Sequence, residues 1–100
     1  MILYNVTVGI DQSVEQEWLQ WMKNEHIPKV MSTGYFLEFK IFKVLSQQEG
    51  DNPSYSIQYF TSSIDNIDQY LQKEAPALQQ EHMQRYMNKH VAFRTLLETV

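Results

Sequence analysis

The sequence predicts one α+β domain over residues 1–100, with a ferredoxin-like βαββαβ layout. Three observations lead there. One hundred residues is enough chain for one hydrophobic core and not for two. Apolar residues alternate with period two in four stretches, and two stretches of helical spacing lie between them. The order of these stretches is β, α, β, β, α, β. With right-handed crossovers it folds into a four-stranded antiparallel sheet carrying both helices on one face.

The first strand is marked by Ile2, Tyr4, Val6, Val8 and Ile10, which alternate with Asn5, Thr7 and Gly9. Asp11-Gln12-Ser13 breaks the pattern, and Ser13 with Gln16 has the spacing of a capping box. The helix that follows presents Val14, Trp18, Leu19 and Met22 inward. Pro28 is expected to end or redirect it near Glu25-His26, and Gly34 closes the unit. Tyr35 to Leu45 reads as the second strand, with Tyr35, Leu37, Phe39 and Ile41 on one face. The stretch from Ser46 to Pro53 is polar and carries turn chemistry in Gly50-Asp51-Asn52-Pro53. Tyr55, Ile57 and Tyr59 then alternate with Ser54, Ser56 and Gln58 as the third strand. Ser62-Ser63 is positioned to cap a second helix with an apolar stripe of Ile64, Ile67, Leu71, Ala75, Leu78 and His82. Pro76 either kinks this helix or opens a new one. Val91 to Thr99 is the last strand, with Val91, Phe93 and Leu97 alternating with Arg94 and Glu98.

Composition narrows the function. Hydrophobic residues make up 43% of the chain, too many for a disordered protein. Eight Lys+Arg against twelve Asp+Glu leave no basic face for phosphates, which argues against nucleic acid as partner. Cysteine is absent, which removes disulfides, thiolate nucleophiles and Cys-ligated metals. No apolar run is long enough to span a membrane, and the first residues lack the pattern of a signal peptide, so a soluble cytoplasmic protein is expected.

Helices on one sheet face leave the other open. The alternation assigns to that face Leu3, Asn5, Thr7, Phe42, Val44, Ser56, Gln58 and Phe60, together with Ala92, Arg94 and Leu96 from the last strand. A face of this mixed character is best covered by a second copy packing sheet on sheet, so a homodimer is expected.

The order of elements, the tryptophans of the first helix, and the run into His26-Ile27-Pro28 and Gly34-Tyr35-Phe36 resemble the dimeric α/β-barrel superfamily. That superfamily includes antibiotic-biosynthesis monooxygenase-like, EthD-like and stress-responsive barrel proteins. Over nearly the whole chain the sequence is also similar to a family of about 100-residue proteins of unknown function. That match rests on Tyr4-Asn5-Val6-Thr7-Val8, Trp18-Leu19-Gln20-Trp21-Met22, Glu25-His26-Ile27-Pro28, Tyr55-Ser56-Ile57-Gln58-Tyr59, Ala75-Pro76-Ala77-Leu78 and Ala92-Phe93-Arg94-Thr95-Leu96-Leu97-Glu98. The resemblance implies a dimeric α/β-barrel fold. It implies no reaction, because the superfamily hosts several chemistries. No haem-ligand or oxygenase motif maps onto these residues.

Among residues that bear chemistry, His26 stands first. It lies at a helix end beside Glu25, where imidazole serves as general acid/base, as an anion-binding group, or simply as a cap for terminal carbonyls. His82 shares the buried stripe of the second helix and either lines a pocket or is a hydrogen-bonded core residue. His90, beside Lys89 at a strand start, reads as a surface residue. The three histidines have no zinc or facial-triad spacing, so neither metal nor other cofactor is expected. Arg94, with Asn5, Glu38, Lys40 and Gln58, forms a polar group on the predicted dimer face, there to pair or to clamp an anion. Trp18 and Trp21 make either core packing or a flat wall for an aromatic ligand, Trp18 being inward and Trp21 at the edge. No nucleophile elbow or phosphate loop is present.

Three functions fit. The first is a small-molecule-binding protein whose pocket, between helices and sheet, is lined by Trp18, His26, Tyr55 and His82 and takes a small hydrophobic or aromatic ligand. The second is a cofactor-independent oxygenase or isomerase with His26 as the catalytic residue. The third is a structural or regulatory dimer that meets partners through the acidic exteriors Glu15, Glu17, Asp65 and Asp68.

Overall fold

In the computed structural model, which describes residues 1–46 and 50–100, β1 (Ile2–Ile10) runs through the middle of the sheet between β3 (Ser54–Thr61) and β4 (His90–Glu98). β2 (Glu38–Lys43) pairs with the outer side of β3, giving the order β2-β3-β1-β4 with every pair antiparallel. The four-stranded α+β ferredoxin-like sheet is therefore as expected. Part of the polar stretch expected from Ser46 to Pro53 lies outside the described residues.

The alternation of β1 and β3 explains the core. Tyr4, Val8 and Ile10 on β1 and Tyr55, Ile57 and Tyr59 on β3 point to one face and are buried. Trp18, Trp21, Met22, Ile27, Val30, Ile67, Tyr70 and Tyr86 cover them from the helical layer. Trp21, expected at the edge, is inside.

The first helical stretch departs from expectation twice. Asp11, not Ser13, makes the cap: its Oδ1 accepts from the Ser13 backbone N–H at 2.8 Å and from the Ser13 hydroxyl at 2.6 Å. A carboxylate is the stronger acceptor, and a 3₁₀ turn (Gln12–Val14) leads into α1 (Glu15–Trp21) without the capping box. Pro28 does not end the helix. The chain widens into a π-helical turn, Met22–His26, in which Ile27 N–H bonds to Met22 C=O, and runs on as α2 (Ile27–Ser32). Proline offers no N–H and crowds the carbonyl four residues back, so one wide turn absorbs both problems.

The second strand starts later than expected, at Glu38. Gly34, at φ +84°, turns the chain, and Phe36 leaves the alternation to stack against Tyr4 and fill a site beside Tyr59 and Tyr70. The second helical stretch is two helices, α3 (Ile64–Lys73) and α4 (Ala75–Arg85), with Pro76 in the first turn of α4. Ser63 caps α3, its Oγ accepting from Asp65 N–H at 3.1 Å.

β4 is inverted relative to the sequence reading. Its register sets Arg94 opposite Val6, Ala92 opposite Val8 and Leu96 opposite Tyr4, so these three lie on the helix side of the sheet. Val91, Phe93, Thr95 and Leu97 take the open face instead. Apolar residues occur at both parities of this strand, so alternation alone does not choose its face. Asn5, Ser56 and Gln58 do lie on the open face, and Lys40 and Glu38, opposite Gln58 and Phe60, join them there. The polar group expected around Arg94 thus exists without Arg94.

Candidate ligand pocket

Six elements bring polar groups to one cavity between helices and sheet. β1 contributes Tyr4, the π-turn His26, α4 Gln79 and His82, and β4 Arg94. Tyr59 and Tyr70 close the polar side; Val6, Val8, Val30, Ile57 and Leu78 supply apolar wall. The volume open to the centre of a water molecule is about 40 Å³.

The π-turn positions His26. Its ring stacks on Trp21, centroids 5.0 Å apart, and lies 5.7 Å from the ring of His82. His26 Nδ1 is buried and has no hydrogen-bond partner among the described residues. Burial pulls the imidazole pKa down to about 4; the Glu81 carboxylate opposes the shift, while Lys29 and Arg94 add to it. His26 is thus neutral near pH 7 and chemically able to accept a proton or a hydrogen bond.

His82 is held by Trp18, whose indole N–H donates to His82 Nε2 at 2.9 Å. The neutral ring therefore carries its proton on Nδ1. Burial, followed by the charges of His90, His26 and Arg94, lowers its pKa to about 3. His90 lies edge-on to His82 with centroids 4.6 Å apart, and its Nδ1–H donates to the Tyr86 carbonyl at 2.9 Å. His90 is consequently half-buried and not the surface residue expected. The three rings form a row but not a proton relay, because the indole occupies one nitrogen of the middle ring.

The tyrosine hydroxyls make a second cluster. Burial raises the pKa of Tyr4, Tyr59 and Tyr70, and at Tyr4 the Arg94 guanidinium and the Gln79 side chain oppose it. All three remain protonated donors.

Of the residues expected in the site, His26, His82 and Arg94 meet at the cavity, and Trp18 and Tyr55 do not form its wall. Trp18 is fully buried behind His82, and Tyr55 packs on Trp18 at 5.2 Å. The Tyr55 hydroxyl donates to Glu15 at 2.6 Å; burial and this bond to a carboxylate push its pKa up to about 12. Glu15 also meets Lys43 at 3.6 Å, so it is no part of a free acidic exterior. Tyr4, Tyr59, Tyr70 and Gln79 escaped the sequence reading. Tyr4 and Tyr59 follow the core pattern of their strands and read as packing, Tyr70 falls outside the stripe assigned to its helix, and a Gln on a helix reads as solvent-facing. The signal for Gln79 was its place one turn before His82. Among the described residues, no three His or acidic side chains converge as a metal site. No helix is long and apolar enough to cross a membrane.

Comparisons add the fold context. The chain matches the EthD-family (ethyl tert-butyl ether) protein of Bacillus halodurans at 12% identity, all of both chains covered, TM-score 0.69. HapK from Hahella chejuensis matches at 9% identity, covering 100% of this chain and 93% of its own, TM-score 0.71. SnoaB of Streptomyces nogalater, a cofactor-independent oxygenase, matches at 11% identity, covering 98% and 91%, TM-score 0.65. At such identities the likeness shows a shared fold. No curated protein matches the sequence. A family model does match, over residues 1–100, and the chain belongs to that family, the domain of unknown function DUF4286.

Proposed function

We propose that this is a small-molecule-binding protein whose ligand, small and apolar or aromatic, enters between the helices and the β1–β4 half of the sheet. The carrying observation is His26 Nδ1, a buried polar atom with no hydrogen-bond partner among the described residues, on a side chain that lines the cavity. Buried polar groups are nearly always satisfied, so an orphan nitrogen on a ring beside a cavity argues for a missing partner, reached by a small turn of that ring. His26, His82 and Arg94 would face the ligand, and Trp18 and Tyr55 would position His82 from behind. The test is a fragment screen read by NMR on the histidine and arginine side chains. Shifts concentrated at His26, His82 and Arg94 support this reading. Their absence at millimolar fragment would show a wall that is merely packed.

A second reading, an oxygenase or isomerase without cofactor, is favoured by one feature: the His26 ring lines the pocket, is neutral and has a nitrogen without a partner among the described residues, as a general base requires. His26→Ala would then abolish turnover and leave folding intact; a variant that only melts earlier would mark His26 as structural. In either case we propose a cytoplasmic homodimer joined through the open sheet face. The cysteine-free composition fits a reducing compartment, and exposed Phe42, Phe93 and Leu97 fit an interface.

A further inference from the structure

Resting on the pocket reading above, we propose that the ligand is a small monocarboxylic acid, its carboxylate held at the mouth by Arg94 with the Tyr4 hydroxyl and the Gln79 amide, and its apolar body against Val6, Val8 and Val30.

The charge balance of the cavity points this way. Its lining holds one cation, Arg94, and no carboxylate. The ion pairs among the described residues engage Lys29, Lys43 and Arg85, and none engages Arg94. Glu81, the acid whose charge reaches His26, is committed to Lys29 at 3.0 Å. Arg94 lines the same cavity as Tyr4, Tyr70, His26 and His82, and its charge acts on all four. Both neighbouring imidazoles are neutral, so the site presents one positive charge and matches one negative charge.

A guanidinium fork fits the two oxygens of a carboxylate, and a tyrosine hydroxyl and an amide N–H supply neutral donors for its remaining lone pairs. A phosphate dianion would exceed the single cation in a chain whose net charge is −4. The small cavity favours a short or single-ring acid. Arg94 is itself exposed, so the pocket demands no permanent partner for it and can release the ligand to water.

The test is calorimetric titration of the full chain at pH 7 and low salt with two acid–amide pairs, benzoate with benzamide and butyrate with butyramide. At least one acid should bind tenfold or more tightly than its amide. In Arg94→Gln that preference should fall below threefold, and Tyr4→Phe should reduce it partially. Arg94 is exposed, so its replacement should leave the melting temperature in place; Arg94→Lys, which keeps the charge but loses the fork, should give an intermediate preference. Equal binding of acid and amide overturns the carboxylate assignment and leaves the pocket standing. A preference that survives Arg94→Gln overturns it too, by putting the anion elsewhere. If neither member of either pair binds while other neutral fragments still shift His26, the acid proposal fails alone; if nothing shifts His26, both fail.

Discussion

At His26 and His82 the folded chain holds two imidazoles neutral, with pKa values of about 4 and about 3, where the unfolded chain has ordinary ones near 6.5. Because the folded values are depressed, the unfolded state binds protons first as pH falls. Stability is complete above 6.5 and is lost as pH drops from 6.5 toward 4 for His26 and toward 3 for His82. Two pH units below the unfolded value, a histidine that stays neutral forfeits on the order of 2 kcal/mol. Urea denaturation should therefore show a falling midpoint between pH 7 and 4.5, above the range where most carboxylates titrate. In His82→Gln, whose carbonyl can still accept from Trp18, part of that slope should disappear; an unchanged slope would mean that His82 is not held neutral. Trp18→Phe tests the same pair from the other side. It removes the indole donor at His82 Nε2 and opens a void in a fully buried position. A loss of roughly 2–4 kcal/mol is expected, measured by the same denaturation, with the His82 ring titrating at higher pH by NMR.

Helix and strand ends show where short-range chemistry decides. Ser63 satisfies the Asp65 N–H at the start of α3, and Ser63→Ala should cost about 1 kcal/mol by thermal unfolding. Sequence patterns revealed this cap, as they did the inner faces of β1 and β3, because each of those strands has apolar residues on one side and polar ones on the other. β4 was less legible. As an edge strand with apolar residues at both parities it leaves its face undetermined, and that one ambiguity moved Arg94 from the pocket to the opposite surface. The π-turn was also hidden: Pro28 announces an interruption, but whether the helix stops or widens depends on Ile27 and Val30 being drawn into the core. His82 was found because it follows Leu78 by four residues and Leu71 by eleven, which sets it on the apolar stripe of its helix. A pocket between helices and sheet was expected, but its full polar lining was not legible, since those members come from six separate elements that only the fold assembles.

The whole molecule leaves one sheet face without a helix. Its centre satisfies itself: Asn5 Nδ2–H donates to Thr7 Oγ1, Ser56 O–H donates to Asn5 Oδ1, and Gln58 Nε2–H reaches Ser56 Oγ at 3.5 Å. That ladder pairs part of the polar surface that a second sheet would cover. Around it Phe42, Phe93 and Leu97 remain exposed, and burial of such side chains is what an interface supplies. Two copies related by a two-fold axis would present the same face to each other, aligned as in a sandwich. Because every substitution then occurs twice in the assembly, Phe93→Glu sets two carboxylates in a dry interface. Sedimentation equilibrium of the unaltered chain should give twice 11.9 kDa, and the variant should give 11.9 kDa. The unaltered chain should also melt at a temperature that rises with concentration, a dependence the variant should lose. An unaltered chain that sediments at 11.9 kDa across tens of micromolar would show that the apolar rim is tolerated in water and that the pocket, with Arg94 at its mouth, works in a single copy.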